Sequence, residues 1–307
     1  MSNLITYTYD FSPYGYKLHS VIALLGIKDY RNVQVGVILP RPELTAIGVN
    51  YRRIPVAAFG RDVYCDTQSI IARLLSESSN ASQIYGGNAA SVLAHKMLGD
   101  AIFRTSLPAI PSAALTPDFV KDRAGVFPSL GDPDLLAGKL KGQALSELRS
   151  ILLQLEDELS SGSQFLAGDK PTLLDAHLAW AVRFLKAIGL LEEKFLSKND
   201  LPAVHKWLDA FESAASFNLN NIDGDAAAKE ILGAQVKDSA TNGSSSAEND
   251  HSGFSIGEQV AVNQSDADPT HPTEGKLVAL TAHEVVVEVK SGVRVHLPRL
   301  GQKITKA

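Results

Sequence analysis

The chain has a single cysteine, Cys65, among 307 residues. That excludes an internal disulfide, a cysteine-rich zinc site and any redox motif built on two thiols. Long apolar runs are also missing. The longest, Leu173 to Leu191, is interrupted by Asp175, His177, Arg183 and Lys186, so it does not reach the ~20 apolar residues that cross a bilayer. The opening MSNLITYTYD has neither the basic nor the apolar region of a secretory signal, and a cytoplasmic protein is expected. Charge of one sign is scarce: the formal net charge is -5 and well mixed, which offers no footprint for nucleic acid or for an anionic membrane. No internal repeat occurs. His95, His177 and His205 fall in helical patterns without metal-ligand spacing, so they are expected to pack or face solvent, and no metal is expected. What is present is ordinary globular composition, 45% apolar and 21% charged, with length for about two domains and an appendage.

The first 80 or so residues alternate strand and helix patterns, as an α/β unit does. Leu4 to Tyr9 reads as a strand. Ser12 and Pro13 form a helix start, since a serine cap and a proline at the first helical position both suit unpaired amides, and Gly26 closes that helix. Asn32 to Ile38 reads as a second strand, and Pro40 to Gly48 as a loop with a helical turn. Pro55–Phe59 and Asp62–Tyr64 flank Gly60 and Arg61 as a hairpin, after which Asp66 and Thr67 open a helix to about Glu77.

From Ala89 onward helical spacing dominates. Leu145, Leu148, Ile151, Leu152, Leu155 and Leu159 share one face, and Thr172 with Asp175 forms a capping-box start for an apolar helix at the centre of a bundle. Pro108 to Pro133 reads as an irregular excursion, and Leu201 to Phe211 as a last bundle helix with Trp207 inward. Ser239 to Gly253 holds nothing that anchors a core and reads as linker. Beyond it, Glu258–Val262, Lys276–Leu280, Glu284–Val289 and Val293–Leu297 alternate like strands. At about 50 residues this β segment is near the lower limit for independent stability, so it is expected to dock on the main body or on a partner subunit.

Three segments carry candidate chemistry, each with a plain structural alternative. Ser12 either caps its helix or lends its hydroxyl and the helix N-terminus to an anion such as a thiolate. Ile54 and Pro55 form either a simple strand start or a cis junction exposing backbone to an extended ligand. Asp66 and Thr67 are either a cap pair or a clamp for the ammonium and carboxylate of a zwitterion. Cys65, just before them, reads as a small apolar strand residue.

In combination these segments resemble the glutathione transferase superfamily. SPYGYKLHSVIALLGI is similar to the Ser-Pro-aromatic start of the plant tau class, RIPVAAFGRDVYCDTQSI to the superfamily pattern ending in Glu-Ser-x-Ala-Ile, and FLAGDKPTLLDAHLAWA to its bundle-capping segment. The resemblance covers about residues 3 to 215. YRRIP, VYCDT and the terminal HLPRLG resemble a fungal and bacterial offshoot with a β tail. The fold implied is an α/β thioredoxin-like, glutathione-binding domain over residues 1–82, then an all-α helical bundle over 85–222. A flexible linker over 223–255 and a small all-β module over 256–307 complete it.

The resemblance also implies roles. Ser12 would stabilise the glutathione thiolate, Ile54 beside a cis Pro55 would pair with the cysteinyl part, and Asp66 and Thr67 would hold the γ-glutamyl end. Asp66 and Thr67 stand where the family more commonly has Glu and Ser. Arg41 or Arg53 would replace the lysine often used for the glycine carboxylate. Phe11, Tyr14, Tyr16 and Phe103 would line the pocket of a small apolar electrophile, their alternative being core packing. A serine at position 12 cannot perform the thiol exchange of relatives with cysteine there. The implied partners are glutathione as cosubstrate and an electrophile, with no metal, nucleic acid or membrane, and with a homodimer left open. Relatives suggest detoxification or secondary metabolism. The competing reading is a non-catalytic binding or assembly protein whose β module docks or dimerises.

Overall fold

The computed structural model describes residues 3–160, 162–236 and 250–307. Strand β1 (Leu4–Thr8) leads into helix α1 (Pro13–Leu24), strand β2 (Tyr30–Gln34) and helix α2 (Pro42–Thr45). Strands β3 (Val56–Phe59) and β4 (Asp62–Cys65) follow, then helices α3 (Thr67–Glu77), α4 (Ala81–Ile84) and α5 (Ala89–Ser106). Next come α6 (Pro117–Ala124), α7 (Pro133–Leu136), α8 (Lys141–Leu159), α9 (Leu173–Ala187) and α10 (Pro202–Ala214). The chain ends through β5 (Asn221–Ile222), α11 (Gly224–Gly233), β6 (Gln259–Gln264), β7 (Thr273–Leu280), β8 (Glu284–Glu288), β9 (Arg294–Pro298) and β10 (Gln302–Lys306).

Two compact units result, one holding Met1–Gly15, Asp29–Glu77 and Leu219–Ala307, the other Tyr16–Lys28 and Ser78–Asn218. In the first, β1 runs parallel to β2 and antiparallel to β3, which pairs antiparallel with β4, the thioredoxin-like arrangement. The C-terminal strands continue that sheet. Strand β9 lies parallel to β4, with Val63 opposite Val295 and Tyr64 opposite His296, and the ten-strand order is β10-β6-β7-β8-β9-β4-β3-β1-β2-β5. Both edges that β4 and β2 would otherwise leave open are thus paired, which removes two templates for unwanted strand addition. The segment 256–307 is therefore not a body apart. Val260, Val262, Leu277, Val285, Val287 and Val295 share one buried core with Ile5, Tyr7, Val56, Ala58 and Val63.

The first part of the linker expected over 223–255 is ordered as α11. Asp223 caps α11 by accepting from the amides of Asp225 and Ala226, and Ala227, Ala228 and Ile231 of that helix enter the same core. Arg31 grips Glu230 through two hydrogen bonds of 2.7 and 2.5 Å, and the Arg61 side chain donates to the Leu232 carbonyl. Residues 237–249 of the expected linker lie outside the described residues. The expected second strand is displaced toward its start, because Gly36 to Pro40 leaves the sheet for a loop ending in a cis Leu39–Pro40 bond.

In the second unit, α5 and α9 touch backbone to backbone at Gly99, where a Cβ would sit 2.0 Å from the His177 carbonyl oxygen. Asp175 is fully buried and gathers four donors: the Thr172 amide and hydroxyl at 2.8 and 2.9 Å, the Leu166 amide at 2.9 Å and the Trp207 indole at 2.8 Å. The capping box read from Thr172 and Asp175 is thus also the tie between three stretches of the bundle. Glu156 of α8 takes the first amides of α10, from Ala203 and Val204, where Leu201 provides no capping side chain. The excursion expected from Pro108 to Pro133 is partly ordered as α6, because Thr116 caps it and Pro117 suits its first position. His205 and His95 bond to the carbonyls of Leu196 and Ser91, and His177 is buried.

Candidate active site

The strand register brings three chain segments together. Tyr7 of β1 pairs with Val56 of β3, and Val56 pairs with Cys65 of β4. The exit from β1 toward Ser12, the Ile54–Pro55 entry to β3 and the Asp66–Thr67 exit from β4 therefore meet at one end of the sheet.

Ser12 is buried, and its Oγ accepts the Gly15 amide at 3.1 Å, the bond of a helix cap. That bond uses an oxygen lone pair and leaves the hydroxyl proton as a donor, so capping and anion stabilisation are compatible. Gly15 permits this close approach: a Cβ there would stand 3.0 Å from the Ser12 Cβ and 3.1 Å from its Oγ. The preceding Phe11 adopts φ +63° and is 89% exposed, so it is a surface side chain. The Ile54–Pro55 bond is cis, and the partly buried Ile54 packs against the core of the first unit.

Asp66 adopts φ +74°, a left-handed conformation that aspartate tolerates better than most residues, and its Oδ1 accepts the Gln68 amide at 2.8 Å. Thr67, buried, starts α3. Tyr51 lies among these groups. Burial pushes its phenol well above the ordinary range, the charges of Asp66 and Cys65 add to this, and Arg53 opposes it. One phenol is thus within electrostatic reach of Asp66 and Arg53, a convergence that no local motif announces. Burial, then Asp66, also pushes the Cys65 thiol up, which suits a small apolar strand residue rather than a nucleophile.

The two candidate arginines differ. Arg41 is buried and turned inward, donating to the carbonyls of Gly36 at 3.0 Å, Val37 at 3.1 Å and Arg52, so it ties the loop before α2 to the segment before β3. Its expected role at a ligand carboxylate does not fit that position. Arg53 stays partly exposed and pairs with Asp266 at 2.8 Å. Asp266 lies in the β6–β7 connection.

The pocket aromatics also separate. Tyr14 is half-buried in the first unit. Tyr16, in the second, lies under Arg183 at 4.2 Å and 5.7 Å from the Phe217 ring. Phe103 packs within 5.1–5.5 Å of Phe184, Trp180 and Phe127, an aromatic core cluster of the bundle. Its expected place in a ligand pocket gives way to that packing, which its helical neighbours already allowed. Among the described residues no group of three metal-ligating side chains is found, and no helix is long and apolar enough to cross a membrane.

Residues 7–82 match the glutathione S-transferase N-terminal domain family and residues 118–210 the C-terminal domain family, together more than half of the sequence. The chain belongs to the glutathione S-transferase superfamily. A GST-like protein from Pseudomonas syringae is similar over 100% of both chains, at 26% identity and a TM-score of 0.75, so the match to this transferase-like chain extends through β6–β10. A glutathione S-transferase from Methylobacillus flagellatus, solved with glutathione bound, is 16% identical over 70% of this chain and 100% of its own, with a TM-score of 0.51. The tau class enzyme from mango, Mangifera indica, is 18% identical over 74% and 96%, also at 0.51. These last two show the fold alone. No curated protein sequence matches the chain.

Proposed function

We propose that this transferase binds glutathione at the end of the sheet where Ser12, Ile54, Pro55, Asp66 and Thr67 meet and activates its sulfur for attack on a small apolar electrophile. The observation carrying this reading is the Tyr7–Val56–Cys65 register, which juxtaposes a hydroxyl at a helix start with an acid and hydroxyl at another. A free thiol with a pKa near 8.5 is only about 3% ionised at pH 7, and lowering it by two units takes roughly 2.7 kcal/mol of preferential thiolate binding. The Ser12 proton, donated to sulfur, and the positive field at the start of α1 supply that preference. The thiolate, its proton already passed to solvent, then forms the carbon–sulfur bond as the attacked carbon gives up one bond, the electron pair leaving with a leaving group or staying on an opened ring or double bond that takes a proton from solvent.

Asp66 receives the γ-glutamyl ammonium, and the Thr67 hydroxyl with the first α3 amides receives its carboxylate. The backbone of Ile54 pairs with the cysteinyl part, and Arg53 faces the glycine carboxylate. Residues 1–82 thus act as the glutathione-binding part, in a cytoplasmic protein of detoxification or secondary metabolism. The continuation of the sheet by the C-terminal strands favours a second reading, a binding or assembly protein that performs no conjugation. Calorimetric titration with glutathione, followed by a conjugation assay over a panel of electrophiles, tests both: micromolar to millimolar binding with turnover supports the first reading. Binding without turnover supports the second, and no binding at several millimolar removes the first.

A further inference from the structure

The β6–β7 connection, residues 265–272, lies against the segment that enters the candidate site. Asn50 Nδ2 donates to the Pro272 carbonyl at 3.2 Å, and Arg53 pairs with Asp266 at 2.8 Å. Asp268 lies close enough to Arg52 for that guanidinium to help hold its carboxyl below the usual range, after the backbone and hydroxyl bonds from Thr270. One acid of the β6–β7 connection, Asp266, thus pairs with the arginine immediately before Ile54, and a second, Asp268, is within electrostatic reach of Arg52. The inward Arg41, holding the Arg52 carbonyl, pins that segment in place.

The consequence depends on the glutathione reading above. A tripeptide with its γ-glutamyl end at Asp66 and its middle residue on the Ile54 backbone leaves its last carboxyl beside the residues that precede Ile54. Arg53 is the cation there, and Asp266 already occupies it. A free ligand carboxylate gains Arg53 only by displacing Asp266, whereas an uncharged carboxyl end neither gains nor displaces anything.

We propose that Asp266 is a specificity-determining residue: by competing for Arg53 it cancels the preference for a free terminal carboxylate, so the site accepts thiol peptides whose carboxyl end is esterified, amidated or extended. Partly exposed pairs of this kind contribute up to about 1 kcal/mol, so the effect to look for is about two- to fivefold in affinity. Asp266 is on a partly exposed loop, and Asp266→Asn leaves its shape unchanged.

The test is calorimetric titration of the full chain and of Asp266→Asn with glutathione and with its glycine monoethyl ester. The unsubstituted protein is expected to bind the two peptides within about twofold of each other, and Asp266→Asn to bind glutathione about two- to fivefold more tightly with the ester unchanged. Equal shifts for both peptides, or none for either, overturn the role of Asp266 while leaving the glutathione site standing. Absence of binding for both peptides to both proteins overturns the glutathione reading and this one with it.

Discussion

His296 on β9 sets its Nε2 3.0 Å from Asp62 Oδ1 on β4, across the parallel junction of those two strands. Its Nδ1 lies 3.2 Å from Glu284, and its ring stacks on Tyr64 at 4.2 Å. The ring is fully buried. Burial opposes its charge, but the bonds to Asp62 and Glu284 outweigh that cost and raise its pKa above the ordinary 6.5.

A pH dependence follows from this sign. A folded-state pKa above the unfolded value means that protonation favours the fold, fully so below about pH 6.5 and progressively less as pH rises through the folded value. Thermal melts should show the melting temperature falling with rising pH across that window, and His296→Asn should flatten the slope. Equal slopes for the two proteins would remove His296 as the titrating group.

The bundle offers a larger effect. Asp175→Ala strips the partner from three buried donors and one half-buried donor, and losses of this kind cost about 3–5 kcal/mol. Chemical denaturation should show a midpoint shift of corresponding size. A change below about 1 kcal/mol would mean that the donors find other partners.

Kinetics separate the two halves of the site. Ser12→Ala should lower kcat about 10- to 100-fold with little change in KM for glutathione, because the hydroxyl is assigned to the thiolate. Asp66→Ala should raise KM about tenfold or more with kcat largely kept, since its carboxylate is remote from sulfur. Exchanged effects would reverse the assignments.

Truncation near residue 241 should be severe. It strips β9 from the β4 edge and exposes Val56, Ala58 and Val63, which share their core with Val260, Val262 and Val287. The shortened protein is expected to aggregate or to melt well below the full chain. An unchanged melting temperature would show that the two sets of strands are stable apart.

Much of this architecture was readable from local pattern. Ser12 with Pro13, the hairpin around Gly60 and Arg61, and the Thr172–Asp175 box are short-range signals whose physics is confined to one turn or one helix start. Local pattern left Ile54–Pro55 open between a strand start and a cis junction, and Asp66 and Thr67 between a cap pair and a clamp; the cis form seen here was implied only by the resemblance. The pairing of β4 with β9 was not legible, because it joins residues far apart in sequence and each strand alone shows only alternation. Helix α11 hid in a stretch of small and polar residues beside a linker, and β10, QKITK, is too short and polar to read as a strand. Arg41 turns to loop carbonyls and Phe103 into an aromatic cluster, neither of which was legible, because a sequence shows a side chain's chemistry but not which way it turns.

The central claim is that Ser12 lowers the pKa of bound glutathione, and titrating the thiolate ultraviolet absorbance of the protein–glutathione complex against pH tests it most directly. The account predicts that the bound thiol ionises about two units below its free value near 8.5, and that Ser12→Ala moves it back toward that value by about one unit or more, the field at the start of α1 keeping the rest. Ionisation at the free value in the unsubstituted protein would contradict it.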